Sequence, residues 1–194
     1  MSTGMSTTAE IDAAINALII AGQPQMLISI LHCTTAYPTP MPDVNLRAMR
    51  SLGLRFKMPF GYSDHTEGIE VAIAAVALGA TVIEKHITMG RGLRGPDHRA
   101  SIEPNELISM VRAIRNIELA LGDGEKKLAE SELGNRNGAR QSVVASKAIK
   151  RGEVFSADNI GTKRPGDGLS PMLWDQIIGQ VASREYDPDE QVEI

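Results

Sequence analysis

The chain has 194 residues, 42% of them hydrophobic and 23% charged, the composition of a globular protein of one domain or slightly more. Twenty basic against twenty-four acidic residues leave a net charge of -4, which excludes a general electrostatic pull toward nucleic acid or an anionic membrane. The single cysteine, Cys33, excludes an intramolecular disulfide framework and a cysteine-rich zinc site, and it fits a reducing compartment with the cytoplasm as the expected location. No run approaches the roughly 18 to 20 apolar residues that a membrane span needs. The first residues, Met1 to Met5, lack the basic segment and apolar core of a secretory signal.

Thr7 and Glu10 have the capping-box spacing of a helix start, and Ile11, Ala14, Ile15, Leu18 and Ile19 follow on one face until Gly22. Met26 to Cys33 is a short apolar run that reads as a buried strand. A loop with three prolines, Thr34 to Pro42, leads to Asp43 as the expected cap of a helix carrying Leu46, Met49 and Leu52. Phe60 to Ser63 reads as a second strand, Ile69, Ile73 and Val76 as a helix closed by Gly79, and Thr81 to His86 as a third strand. After a polar loop at Met89 to Ser101, Pro104 opens a helix with Leu107, Val111, Ile114 and Leu121 on one face. This alternation predicts an α/β unit with parallel strands.

Gly122 to Ala139 is polar and without periodicity and reads as a linker, so the expected division is 1–122, a linker at 123–139, and a small domain at 140–194. The small domain is expected to be mostly β, with short strands at Ser142 to Ala145, Glu153 to Phe155, Thr162 to Arg164, Val181 to Arg184 and Gln191 to Ile194. One short helix is expected around Leu173 to Ile178.

Parallel strands collect their carboxyl ends on one side of a sheet, where such folds bind ligands. His32, His65 and His86 all fall at or just after strand ends, and two or three converging imidazoles suit a divalent metal. A strand-end histidine equally serves as a hydrogen-bonded structural residue. Asp64 and Glu84 lie next to or near these histidines, although strand alternation can direct them elsewhere. Asp97 sits in a Gly-Pro loop that holds a carboxylate rigidly or forms a simple turn, and Tyr37 caps a ligand or packs its loop. Lys163 and Arg164 precede a tight turn as an anion site or a solvated pair. The stripe Met110, Ile114, Ile117 and Leu121 reads as core, and no phosphate-binding glycine motif is present.

Taken together, Ser2-Thr-Gly-Met5, Leu31-His-Cys-Thr34 with Tyr37-Pro-Thr-Pro40, Asp43-Val-Asn-Leu46, Gly61-Tyr-Ser-Asp-His-Thr66, Glu84-Lys-His86, Gly95-Pro-Asp-His98 and Lys163-Arg-Pro-Gly166 resemble the sialic acid synthase family. The resemblance implies condensation of phosphoenolpyruvate with an N-acetylated amino sugar such as N-acetylmannosamine, with release of phosphate. It implies a TIM (β/α)8 barrel followed by a small antifreeze-like SAF domain. It also implies a divalent metal, usually Mn2+, held by His65 and His86 and acting as a Lewis acid on the sugar aldehyde.

By the same resemblance Ser2 contacts phosphoenolpyruvate, Ser63 lies beside the metal motif, and Tyr37 and Asp97 belong to the sugar site. Thr35 stands where the family commonly has Ser or Asn and keeps a hydroxyl there. Arg164 corresponds to the arginine that the SAF domain extends into the partner barrel, which implies a homodimer. A closed barrel needs about 250 residues, so residues 1–122 are expected to form a partial barrel, roughly its second half, inactive by itself. The alternative is a non-catalytic sugar- or partner-binding module derived from such a synthase.

Overall fold

The first helix begins as its capping box dictates: the Thr7 N–H donates to Glu10 Oε2 at 2.7 Å, and the Glu10 N–H donates to Thr7 Oγ1 at 3.4 Å. The computed structural model describes residues 1–194, which divide into two units, Met1–Gly124 and Glu125–Ile194. No helix is long and apolar enough to cross a membrane.

The first unit alternates helices and strands in the order α1 (Thr8–Ile20), β1 (Ile30–Cys33), α2 (Leu46–Phe56), β2 (Phe60–Asp64), α3 (Glu70–Ala77), β3 (Val82–Lys85) and α4 (Pro104–Leu121). The three strands form one parallel sheet in the order β1-β2-β3, the arrangement expected of an α/β unit. Met1 to Thr3 extend it beside β1, with Leu31 N–H donating to Met1 O at 2.8 Å and Thr3 N–H to Leu31 O at 3.0 Å.

Apolar side chains between sheet and helices hold this layer pair. Ile11 and Ile15 of α1 meet Ile28, Ile30 and Met58. Met49 of α2 and Val71 and Ala75 of α3 enclose Tyr62 of β2. Ala72 and Val76 of α3 pack on Met110 and Ile114 of α4, with Ile102 between. Helix α3 ends in a Schellman turn: Gly79 adopts φ +100°, its N–H donates to Val76 O, and the Ala80 N–H donates to Ala75 O.

Three local expectations are corrected. The strand begins at Ile30 rather than Met26, because Pro24 introduces a 3-10 turn at Gln25–Leu27. Asp43 does not cap α2; it lies in a 3-10 turn at Met41–Asp43, and the cap is Asn45 in left-handed geometry without a side-chain bond. In α1 only Ile11 and Ile15 are buried, while Ile19 and Ile20 are exposed at the end of the stripe.

In the second unit, the stretch read as a linker carries a 3-10 turn at Glu130–Glu132 and α5 (Leu133–Ala139). Strands β4 (Ser142–Ala145) and β5 (Ile160–Lys163) pair antiparallel, and a one-turn helix α6 (Trp174–Ile177) follows a 3-10 turn. The other expected strands contribute single bridges, Val154 to Val181 and Val144 to Gln191, with Ile149 to Tyr186 beside them, rather than ladders. Their side chains still enclose a core of Val143, Ile149, Phe155, Ile160, Ile177, Tyr186 and Val192.

Candidate functional site

Strand alternation sorts the sheet into two faces. Ser63 is the register partner of Glu84, and its hydroxyl donates to Glu84 Oε1 at 2.7 Å, while Asp64 is the register partner of Lys85. One face therefore carries Ser63 and Glu84, and just past the strand ends come His65 and His86.

The two histidines meet, with ring centroids 5.1 Å apart and planes nearly perpendicular. The ring of Tyr37, on the loop after β1, lies 4.2 Å from that of His65 and 5.5 Å from that of His86. Asp97 brings its carboxylate to 3.9 Å from His86 Nδ1. His65 is buried, and its Nδ1 lies 3.0 Å from the Thr34 carbonyl, which only accepts. Nδ1 is therefore the ring nitrogen that donates, and Nε2 is the one without this partner. Cys33 Sγ approaches the same Nδ1 at 3.8 Å.

The remaining expected residues distribute differently. His32 does not converge with the other two: it faces the helices, where Nε2 lies 3.0 Å from Val44 O and its ring 5.7 Å from that of Tyr62. The reason is parity, since Cys33 takes the position on the site face. Asp64 likewise turns away, into an ion pair with Lys85 at 2.8 Å. Ser2 lies at the β1 edge instead, where it bridges Leu31, and the Thr35 hydroxyl occupies the space that a Cβ on Gly4 would fill. Arg164, in the second unit, is exposed directly after β5 and lines a cleft of about 530 Å³ with Arg140, Gln141 and Ser170. Glu84 is the site-face carboxylate that sequence reasoning left open; parity with His86 was the available signal.

No three His, Cys, Asp or Glu side chains form a complete metal cage. The pair His65 and His86 still fits a cation that takes its other ligands from oxygen. A backbone acceptor on Nδ1 of His65 is the outer-shell arrangement that leaves Nε2 for a metal.

A parallel-sheet α/β unit with a paired-histidine site, joined to a separate small β unit, defines the class. Residues 1–126 match the NeuB family and residues 140–192 match the SAF domain. The chain belongs to the NeuB family. It is 50% identical over 192 residues to N,N'-diacetyllegionaminic acid synthase of Campylobacter jejuni, covering 99% of this chain and 58% of that relative. It is 40% identical over 187 residues to a pseudaminic acid synthase of the same species, covering 96% and 54%. Among solved structures it resembles an N-acetylneuraminic acid synthetase of Leptospira borgpetersenii in complex with citrate, with a TM-score of 0.62, 38% identity, and coverage of 69% of this chain and 46% of that one. The chain spans little more than half the length of these curated relatives.

Proposed function

We propose that this chain carries the metal and sugar site of a synthase that condenses phosphoenolpyruvate with an N-acetylated amino sugar, such as N-acetylmannosamine, and releases phosphate. The observation that carries this reading is the convergence of His65, His86, Tyr37 and Asp97 at the strand ends of a NeuB-family sheet. The sheet is read as part of a (β/α)8 barrel, with residues 1–122 as that portion and 140–194 as the SAF domain.

His65 and His86 would hold a divalent ion, Mn2+ by the family resemblance, which supplies Lewis-acid polarisation of the sugar aldehyde. The chain's own groups do the rest. The Thr34 carbonyl engages His65 Nδ1 and so leaves Nε2 as the ring nitrogen for the ion. Tyr37 and Asp97, both partly exposed beside the imidazoles, offer a phenol and a carboxylate to sugar hydroxyls. Ser63 is held by Glu84 on the same face, Ser2 beside Leu31 offers its hydroxyl to phosphoenolpyruvate, and Thr35 beside Gly4 keeps a hydroxyl for substrate. Arg164 serves a carboxylate across a homodimer, where its guanidinium pairs with a planar anion. The single buried free thiol, Cys33, supports a cytoplasmic setting.

The test supplies the remainder of the Campylobacter jejuni relative, the part without a counterpart in this chain, and measures phosphate release from phosphoenolpyruvate with alternative N-acetylated sugars. Turnover is expected with the supplement, near background without it, and lost in the His65→Ala, His86→Ala double variant. Undiminished turnover by that double variant would overturn the assignment.

A further inference from the structure

Asp64, Thr66 and Lys85 form a buried polar cluster on the helix side of the sheet, and the proposed chemistry leaves it without a role. The Asp64 and Lys85 side chains are 0% and 2% exposed, and Thr66 is fully buried. Four hydrogen bonds join them: Lys85 Nζ donates to Asp64 Oδ2 at 2.8 Å and to Thr66 O at 2.7 Å, and Asp64 Oδ1 accepts from the Thr66 N–H at 2.9 Å and the Thr66 hydroxyl at 2.7 Å. Desolvation offsets most of the Coulomb gain of such a pair, so aliphatic residues here would serve stability as well. Its presence calls for a geometric reason.

Topology supplies one. Asp64 and Lys85 are the last paired residues of the β2–β3 ladder, so His65 and His86 lie just beyond the point where sheet hydrogen bonds hold the two strands at fixed spacing. The backbone bonds that follow tie each histidine to a different segment, Thr39 N–H to His65 O and Ile102 N–H to His86 O, and do not tie them to each other. The cluster does. It grips residues 64 and 66 on either side of His65 and joins both to Lys85, the residue before His86.

We propose that Asp64 and Lys85 are positioning residues that set the separation of His65 and His86 for one shared divalent cation, an inference that rests on the metal reading above. The test uses the full chain with isotope-labelled histidine. Imidazole resonances are recorded without metal, and Mn2+ affinity is measured by loss of the free-ion electron paramagnetic resonance signal. Asp64→Asn removes the charge, and Thr66→Val removes one donor with little change of shape and decides the matter where Asp64→Asn does not fold.

Both variants are expected to shift the resonances of His65 and His86 together and to weaken Mn2+ binding about tenfold, the size seen when outer-shell partners of metal ligands are removed. A cluster with a purely structural role would lower the melting temperature and leave resonances and affinity unchanged; that result in a folded variant overturns the proposal. Absence of Mn2+ binding by the wild type, or binding untouched by His65→Ala, sinks the metal reading instead, and the metal-free resonances then decide whether the cluster positions the rings.

Discussion

Ser63 and Glu84 stand opposite each other across β2 and β3, and the serine hydroxyl donates to the carboxylate at 2.7 Å on the face that also presents His65 and His86. The bond fixes the Glu84 carboxyl group on the face of the proposed cation site. Glu84→Gln keeps an acceptor for Ser63 but removes the charge. We expect Mn2+ affinity to fall about fivefold, equivalent to about 1 kcal/mol for a partly screened pair, as read by isothermal titration. Unchanged affinity would show that the carboxylate only orients Ser63.

Gly61 begins the same face of β2. A Cβ there would meet the Val82 backbone carbonyl of β3 and, at 2.9 Å, Leu31 Cδ2. A carbonyl in a ladder cannot step aside as a side-chain tip can, so Gly61→Ala must part β2 from β3. The expected cost is about 1 to 3 kcal/mol, visible as a lower urea midpoint with an unchanged slope.

Burial pushes the His32 imidazole below its ordinary value of 6.5, against hydrogen bonds with the backbone at Val44 and Asn45. The folded chain thus favours neutral His32, and the unfolded chain takes up the proton first as pH falls. The stability this contributes is complete above 6.5 and is lost as pH falls from there toward the lower folded-state value. His32→Gln is expected to flatten the decline in melting temperature over that acid interval. An identical decline in variant and wild type would refute the assignment.

The second unit has a core of its own, centred on Phe155 and Tyr186, whose rings lie 5.8 Å apart. Residues 125–194 alone should therefore melt cooperatively. Phe155 is fully buried, so Phe155→Ala should cost about 3 to 5 kcal/mol. A broad, non-cooperative melt of the isolated segment would count against an independent core.

Local signals carried much of the architecture. The Thr7 and Glu10 pair starts α1, Pro104 opens α4, and Gly79 closes α3, because each acts through bonds or dihedrals within a few residues. Where local chemistry misled, a neighbouring residue competed: Asp43 has the side chain of a cap, but the chain turns once more before Asn45. The histidine motifs and the family resemblance were likewise legible, since His65 and His86 keep their order relative to the strands.

Parity along β1 already separates His32 from Cys33. What tertiary structure alone decided was register: that Ser63 faces Glu84, that Asp64 meets Lys85, and that the Tyr37 ring reaches both imidazoles from another loop. Register is a pairing between segments about twenty residues apart, set by how α2 and α3 bury Tyr62 against the sheet. A period-two pattern names the faces of each strand separately and leaves the sliding of one strand against the next to the packing of the whole unit.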